Sequence, residues 1–255
     1  MNIVLITQNE PFYLAQNISY LLKKLAANHR ITACVLLNVS PFGKREGFLQ
    51  KTIKTYNVFG VKFFLYYTLK FILSQLNRSN NVARVLKENN IPIVKLRKSV
   101  NHNDSLDIIS SYKPDILLSI SGNQIFKSKL IKLPPKGTLN LHTALLPKYR
   151  GLMPTFWVMK NDEEYTGVSV FFVDEGIDSG PILVPKKVKI GKNWTQRDLI
   201  KHTKKLGMDA ILEAIEKIDS GKNELLPNNN DESTYYSFPT RDDVIEFYKK
   251  GKRFY

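Results

Sequence analysis

Apolar positions alternate between two rhythms along this chain. Asn2 to Ile6 is a short continuous apolar run ending in Thr7-Gln8-Asn9-Glu10-Pro11, the pattern of a buried parallel strand that enters a polar loop. Leu14, Ile18, Leu21, Leu22 and Leu25 then recur at three- and four-residue spacing, which predicts a helix, and Ile31 to Leu37 returns to strand character. Ser40 to Gly47, with Pro41 and Gly43, reads as a loop leading into an aromatic segment from Tyr56 to Leu76. Beyond it, Asn80-Asn81 followed by Val82, Val85 and Leu86 predicts a helix, Ile91 to Val94 a short strand, Leu106 to Tyr112 a helix, and Ile116 to Ser121 a core strand. Strands alternating with helices predict an α/β protein with a Rossmann-like, mostly parallel twisted sheet and helices on both faces. Ligands of such sheets bind beyond the carboxyl ends of the strands.

Composition narrows the function classes. The 255 residues carry 38 Lys plus Arg against 23 Asp plus Glu, a formal charge of +15, and 43% of positions are hydrophobic. That excludes a disordered tail protein and a disulfide mini-protein, and the positive field suits nucleic acid, an anionic membrane surface or a phosphorylated small molecule alike. The lysines are scattered in pairs such as Lys23-Lys24 and Lys204-Lys205, the pattern of solvated helix faces rather than of a basic block. Cys34 is the single cysteine and sits in the apolar run 31 to 37, as a buried structural thiol would, and this usage suits a reducing compartment. The first residues lack the basic and apolar regions of a signal peptide, so a cytoplasmic protein is expected. Phe63 to Leu76 is interrupted by Lys70 and is shorter than the roughly 18 apolar residues of a spanning helix, so no transmembrane segment is predicted.

The chemistry concentrates between residues 137 and 180. No G-x-G-x-x-G follows the first strand, no G-x-x-x-x-G-K-[ST] occurs, and no C-x-x-C or H-E-x-x-H pattern suggests a metal. Asn140 and His142 stand two apart, so on an extended chain they project to one face. About 30 residues later an apolar strand, Thr166 to Val173, runs into the acidic loop Asp174-Glu175-Gly176-Ile177-Asp178-Ser179-Gly180. Brought together by neighbouring strands, an amide, an imidazole and a carboxylate form a centre suited to acyl transfer: an oxyanion donor, a group that changes protonation near neutral pH, and its orienting partner.

The run Asn140 to Gly151, together with the Asp-Glu-Gly-Ile-Asp-Ser-Gly loop, resembles the formyltransferases that use N10-formyltetrahydrofolate, a group including methionyl-tRNA formyltransferase and the bacterial sugar N-formyltransferases. The resemblance implies a catalytic triad of Asn140, His142 and Asp178 and a formyl donor of the folate class, with no metal. It also implies folate contacts from Ser121, Gly122, Asn123, Gln124, Ile125 and Phe126 and from Asp174, Glu175, Gly176 and Ile177.

Residues 1–220 are expected to form the catalytic domain, with a helical insertion at about 45–80, and 221–255 a short carboxyl-terminal extension. Only 34 residues follow Gly221, which disfavours the large tRNA-gripping domain of the tRNA enzymes, and the absence of a Gly-rich loop after the first strand disfavours a phosphoribosyl acceptor. The tail, with Tyr235, Tyr236, Phe238 and Arg241, looks like the compact end of the sugar enzymes. Its aromatic and cationic groups, with Arg150, suit a nucleotide-linked amino sugar of surface-polysaccharide (O-antigen, lipopolysaccharide) synthesis. The alternatives are a tRNA enzyme with a shortened tail and a non-enzymatic basic nucleic-acid-binding protein; nucleic acid is the less favoured partner. Segment 56 to 76, read as one helix, is apolar around most of its circumference and is expected to be covered on several sides, as an active-site lid or a homodimer contact, with a peripheral-membrane contact as the rival.

Overall fold

The computed structural model describes residues 1–39, 47–76 and 80–255. The loop expected at 40–47 therefore falls, for 40–46, outside the described residues, as do 77–79 of the expected insertion. Seven strands form one sheet in the order β3-β2-β1-β4-β5-β7-β8. The first five are β1 (Asn2–Gln8), β2 (Arg30–Leu37), β3 (Ile93–Val94), β4 (Ile116–Ile120) and β5 (Thr138–His142), all parallel to one another. β6 (Arg150–Gly151) lies outside this sheet, while β7 (Tyr165–Phe172) and β8 (Ile182–Lys189) extend it antiparallel. The architecture is thus Rossmann-like and mostly parallel, with an antiparallel edge.

Helices cover both faces because the buried strands are apolar on both. Leu5, Leu118, Leu139 and Leu141 pack toward α1 (Leu14–Lys24), α3 (Val82–Glu88) and the long α7 (Gln196–Asp219). Val4, Ile6 and Leu117 pack on the other face with residues of α4 (Asn103–Ser111) and α5 (Ser128–Ile131). Cys34 is fully buried, and burial pushes its thiol up to about 12, which makes it inert. At α7 the close approach to the sheet depends on Gly207, where a Cβ would stand 2.6 Å from Leu141.

A third core joins the last residues to the middle of the chain. Phe156 and Trp157 of α6 (Pro154–Lys160), Val244 and Phe247 of α8 (Arg241–Lys249), and Phe254 pack with Phe59. In the same region β9 (Tyr235–Tyr236) pairs parallel with β6, so the segment after α7 is bound to the loop that follows the Asn-x-His strand.

The aromatic segment departs from expectation. It is helical from Phe48 to Leu76 as α2, but Gly60 (φ 80°, ψ 172°) breaks it into two helices, and a Cβ there would lie 2.7 Å from the Arg241 guanidinium. The second half turns Phe63, Tyr66, Lys70 and Ser74 toward the body, where Tyr66 stacks on Tyr255 at 3.7 Å and Phe63 meets Phe254 at 4.8 Å. Its other face is uncovered, with Leu65 62% and Leu76 75% exposed. Covering on several sides does not occur, because one aromatic stripe alone contacts the body. Among the described residues no helix is long and apolar enough to cross a membrane.

Candidate active site

Strand register places the predicted triad. Asn140 is paired with Ser119 of β4 and Phe171 of β7, and His142 with Ser169 of β7, so both side chains leave the face opposite α7 at the carboxyl end of β5. His142 is buried and Asn140 half-buried. Ser169 holds the turn that follows: its hydroxyl donates to the Ala144 carbonyl (2.9 Å) and accepts from the Leu146 N–H (3.0 Å). The chain then returns so that the Tyr149 carbonyl meets His142 Nε2 at 2.7 Å. A carbonyl only accepts, so this contact requires the proton on Nε2 and leaves the lone pair on Nδ1. Nδ1 faces Asp178 Oδ2 at 3.4 Å.

Asp178 is fixed from two directions. Its Oδ2 accepts from the Gly151 N–H (2.9 Å), while its carbonyl and that of Gly180 accept from the Asn228 side chain at 3.0 and 2.8 Å. Left-handed backbone accumulates around this hub: Tyr149 (φ 59°), Gly151 (φ 96°), Met153 (φ 50°) and Asp178 (φ 49°). Such strain collects where surrounding structure imposes a conformation that function uses. Gly151 is required twice over, by its φ and because a Cβ would lie 2.3 Å from the Tyr236 carbonyl. The Asn140 amide has no hydrogen-bond partner among the described residues and remains available as a donor.

The other predicted positions divide into framework and accessible groups. Arg150 is buried, and its guanidinium donates to Asn230 (2.8 Å) and to the carbonyl and side chain of Asn228 (3.0 and 2.8 Å), so it ties the tail to the Asp178 loop. Tyr236 lies sandwiched between Tyr149 (5.3 Å) and Trp157 (4.7 Å), and Arg241 packs at the Gly60 break. Tyr235 is exposed, and Phe238 carries Lys54 over its ring at 5.0 Å. In the predicted folate segment, Ser121 is left-handed and its carbonyl accepts from Gln8, Gln124 accepts from Ser99 and the Val100 N–H (both 3.1 Å), and Phe126 is buried in the core. Gly122 and Ile125 are exposed. In the acidic loop, Asp174 accepts from Gly176 N–H (3.0 Å) and the Ser179 hydroxyl (2.6 Å), leaving Glu175 and Ile177 outward. No group of three or more metal-ligating side chains converges among the described residues.

Two cavities flank the strand ends. One of about 820 Å³ touches Leu36, Leu37, Lys95, Lys98, Asn123 and Gln124. A larger one of about 980 Å³ is walled by aromatic residues of α2 with Met153 and Phe238. They share Asn9 and Val39, and neither is lined by Asn140, His142 or Asp178.

A cationic cluster that sequence reasoning did not single out lies near the β1 end. Burial, reinforced by nearby Arg197 and Lys201 and opposed by Glu10, lowers Lys70 to about 8. Lys204 is also lowered by burial, with Glu10 opposing, and its ammonium is 3.3 Å from the Ser121 hydroxyl. Arg197 Nε is buried without a partner. Arg197, Lys201 and Lys204 stand at i, i+4 and i+7 on α7, a one-face spacing that was readable in advance. Glu10 itself accepts the N–H groups of Phe12, Tyr13 and Leu14 (2.8, 3.0 and 3.1 Å), so the amides at the start of α1 are already occupied.

With this geometry in hand, comparison is informative. Residues 69–215, more than half of the chain, match the formyl transferase family. The chain belongs to that family. Methionyl-tRNA formyltransferase of Kosmotoga olearia is 35% identical over 164 residues, covering 64% of this chain and 52% of the relative. The chain thus spans about half the length of the curated relatives it matches. Among solved structures, an N-formyltransferase from Helicobacter canadensis, in complex with folinic acid and dTDP-3-aminofucose, shares the fold over 94% of this chain and 71% of its own (18% identity, TM-score 0.58). Phosphoribosylglycinamide formyltransferase from Anaplasma phagocytophilum does so over 92% and 98% (13% identity, TM-score 0.64).

Proposed function

We propose that this formyltransferase moves the formyl group of N10-formyltetrahydrofolate to the amine of a nucleotide-linked amino sugar. The observation that carries the reading is the hub at the end of β5: an imidazole with its tautomer set by the Tyr149 carbonyl, a carboxylate 3.4 Å from the remaining nitrogen, and an unpaired amide on the same strand face. Formyl transfer to an amine passes through a tetrahedral oxyanion and releases a proton. The Asn140 amide donates to the oxyanion. His142 takes the amine proton on Nδ1, and the resulting imidazolium is held between the Tyr149 carbonyl and Asp178; as the oxyanion collapses, the bond from the formyl carbon to N10 breaks and that proton passes to N10 of the departing tetrahydrofolate. The donor supplies the formyl group; Ser121 to Ile125 and the Asp174 to Ile177 loop hold its pterin, and Lys95 and Lys98 at the smaller cavity suit its carboxylates.

The acceptor's diphosphate goes to Lys70, Arg197, Lys201 and Lys204, four cations against the carboxylates of Glu10 and Asp198, where it would satisfy Arg197 Nε. Glu10 on the α1 amides argues against a phosphoribosyl acceptor, because it fills the donors that a phosphate at that helix start would use. Tyr235 and Phe238 offer the ring faces for a nucleobase. The Helicobacter neighbour, which holds a nucleotide amino sugar, shares the fold over 94% of this chain and supports this acceptor. A second reading, formylation of charged initiator tRNA, is favoured by the 35% identity to the Kosmotoga enzyme. One experiment separates them: the purified protein, supplied with N10-formyltetrahydrofolate, is offered nucleotide-linked amino sugars, methionyl-tRNA and glycinamide ribonucleotide in parallel, and products are scored by mass for one added formyl group. Formylation of tRNA alone removes the sugar reading.

A further inference from the structure

The second half of α2 presents an apolar stripe that the fold leaves bare. Val61, Leu65, Leu69, Ile72, Leu73 and Leu76 are 54%, 62%, 58%, 53%, 54% and 75% exposed, and their spacing of i, i+4, i+8, i+11, i+12 and i+15 places all six within one-third of the helix circumference. The opposite side of the same helix holds Tyr66 against Tyr255 and Lys70 against Tyr13, so this face is turned outward by packing that the helix already has. Leu49, Ile53 and Tyr56 continue the exposed apolar character before the Gly60 break, at 70%, 51% and 51% exposure. A contiguous apolar strip of this size on a charged protein marks an interaction surface.

Charge decides the partner. Phe48 to Leu76 contains four lysines, Lys51, Lys54, Lys62 and Lys70, and no Asp or Glu, in a chain of net charge +15. Lys62 is exposed beside the stripe, and the Tyr255 hydroxyl donates to its carbonyl. A second copy laid on the stripe would set lysine-only helices and two strongly positive bodies against each other. An anionic bilayer surface meets both features at once, because the leucines enter the acyl boundary while exposed Lys62 stays among the headgroups, within the field of a chain of net charge +15. We infer that the exposed face of α2 is an interfacial docking surface for anionic lipid membrane, lying in the membrane plane and not crossing it. This goes beyond the formyl-transfer reading and does not depend on it.

The test uses the full-length chain with vesicles of phosphatidylcholine alone or of phosphatidylcholine and phosphatidylglycerol in equal parts, scored by co-sedimentation. The chain should sediment with anionic vesicles, bind neutral ones at least about tenfold more weakly, and lose affinity as salt is raised. Leu65→Glu, Leu69→Glu and Leu76→Glu together should lower affinity by at least about a hundredfold, with circular dichroism and melting unchanged. As an independent readout, Leu69→Cys bearing an environment-sensitive dye should shift to the blue on anionic vesicles, with the buried native thiol unlabelled. Absence of binding to anionic vesicles, binding indifferent to the triple change, or a dye that stays in water overturns the proposal. So does a wild-type dimer that the triple change dissolves while no vesicle binding is seen, which would make a second copy the occupant.

Discussion

The hub at the end of β5 and the second half of α2 use helix and loop in opposite ways. Around His142 the backbone is strained, and Tyr149, Asp178, Gly151, Arg150, Asn228 and Asn230 are joined with it in a network of hydrogen bonds. Along α2 the one non-helical residue is Gly60, and an apolar third of the second half's circumference is more than half exposed. The difference separates two kinds of constraint. A reaction centre must fix a few atoms to within a fraction of an ångström, and the fold spends strain and buried polar groups to do so. A docking face needs only shape and character, and it stays exposed until its partner arrives.

The largest expected effect falls on the hub. His142→Ala should lower kcat/KM for formyl transfer by roughly 10² to 10⁴, the range for a positioned acid-base group, and Asn140→Ala by about 10² to 10³ for one oxyanion donor. The double variant should fall short of the product of the two, because the groups act as a unit. Near-normal turnover by folded His142→Ala would assign the proton to another group and leave the hub as scaffolding.

Gly151→Ala tests whether the strain is real. The new methyl would have to occupy a left-handed position 2.3 Å from a backbone carbonyl, so the β6-β9 pairing must shift and Asp178 loses its N–H donor. A loss of about 2 to 4 kcal/mol in urea unfolding is expected. Limited proteolysis should also reveal earlier cleavage after residue 221, since that pairing holds the tail. Unchanged stability would show the hub to be as permissive as the helix.

What was legible in the sequence follows the same division. β1, β2, β4 and the Asn-x-His strand were readable because their signals are local: an apolar run, a turn, a two-residue spacing. The Arg150 clamp was not, since its partners lie 78 and 80 residues away and nothing in Arg150's surroundings specifies them. For α2 the apolar content was plain, yet apolar content on all sides predicts burial, and only the three-dimensional placement of Phe254 and Tyr255 determines which stripe is used. The break at Gly60 also divides a pattern that reads as one helix.

A smaller effect concerns Lys70, on the covered side of α2. Burial lowers its folded pKa to about 8 from the ordinary 10.5, so the charged form is disfavoured in the folded state. Below pH 8 both folded and unfolded chains carry the proton and the folded state bears the whole cost. Between about 8 and 10.5 the unfolded chain binds more protons, so Lys70's contribution to stability rises with pH. Wild type should therefore gain stability relative to Lys70→Met across that window in urea unfolding, while its affinity for a nucleoside diphosphate declines over the same window as the charge is lost. A flat difference between the two proteins would place Lys70 in water.

The smallest expected effect is the one that most directly contrasts the two regions. Leu65 is 62% exposed, on the bare stripe of α2. Leu65→Glu therefore leaves no cavity and buries no charge, and glutamate is a good helix former, so the change in unfolding free energy should stay within about 0.5 kcal/mol. The neighbouring aromatic stripe behaves otherwise: Phe63→Ala removes a ring stacked at 4.6 Å on Phe59 and at 5.6 Å on Tyr67, and should cost about 2 to 4 kcal/mol. Two substitutions two residues apart on one helix would then differ several-fold in cost for a reason visible only in which way each side chain points. If Leu65→Glu destabilised the free protein as much as Phe63→Ala does, the stripe would be part of the protein's own core, and neither a membrane nor a second chain would be needed to explain it.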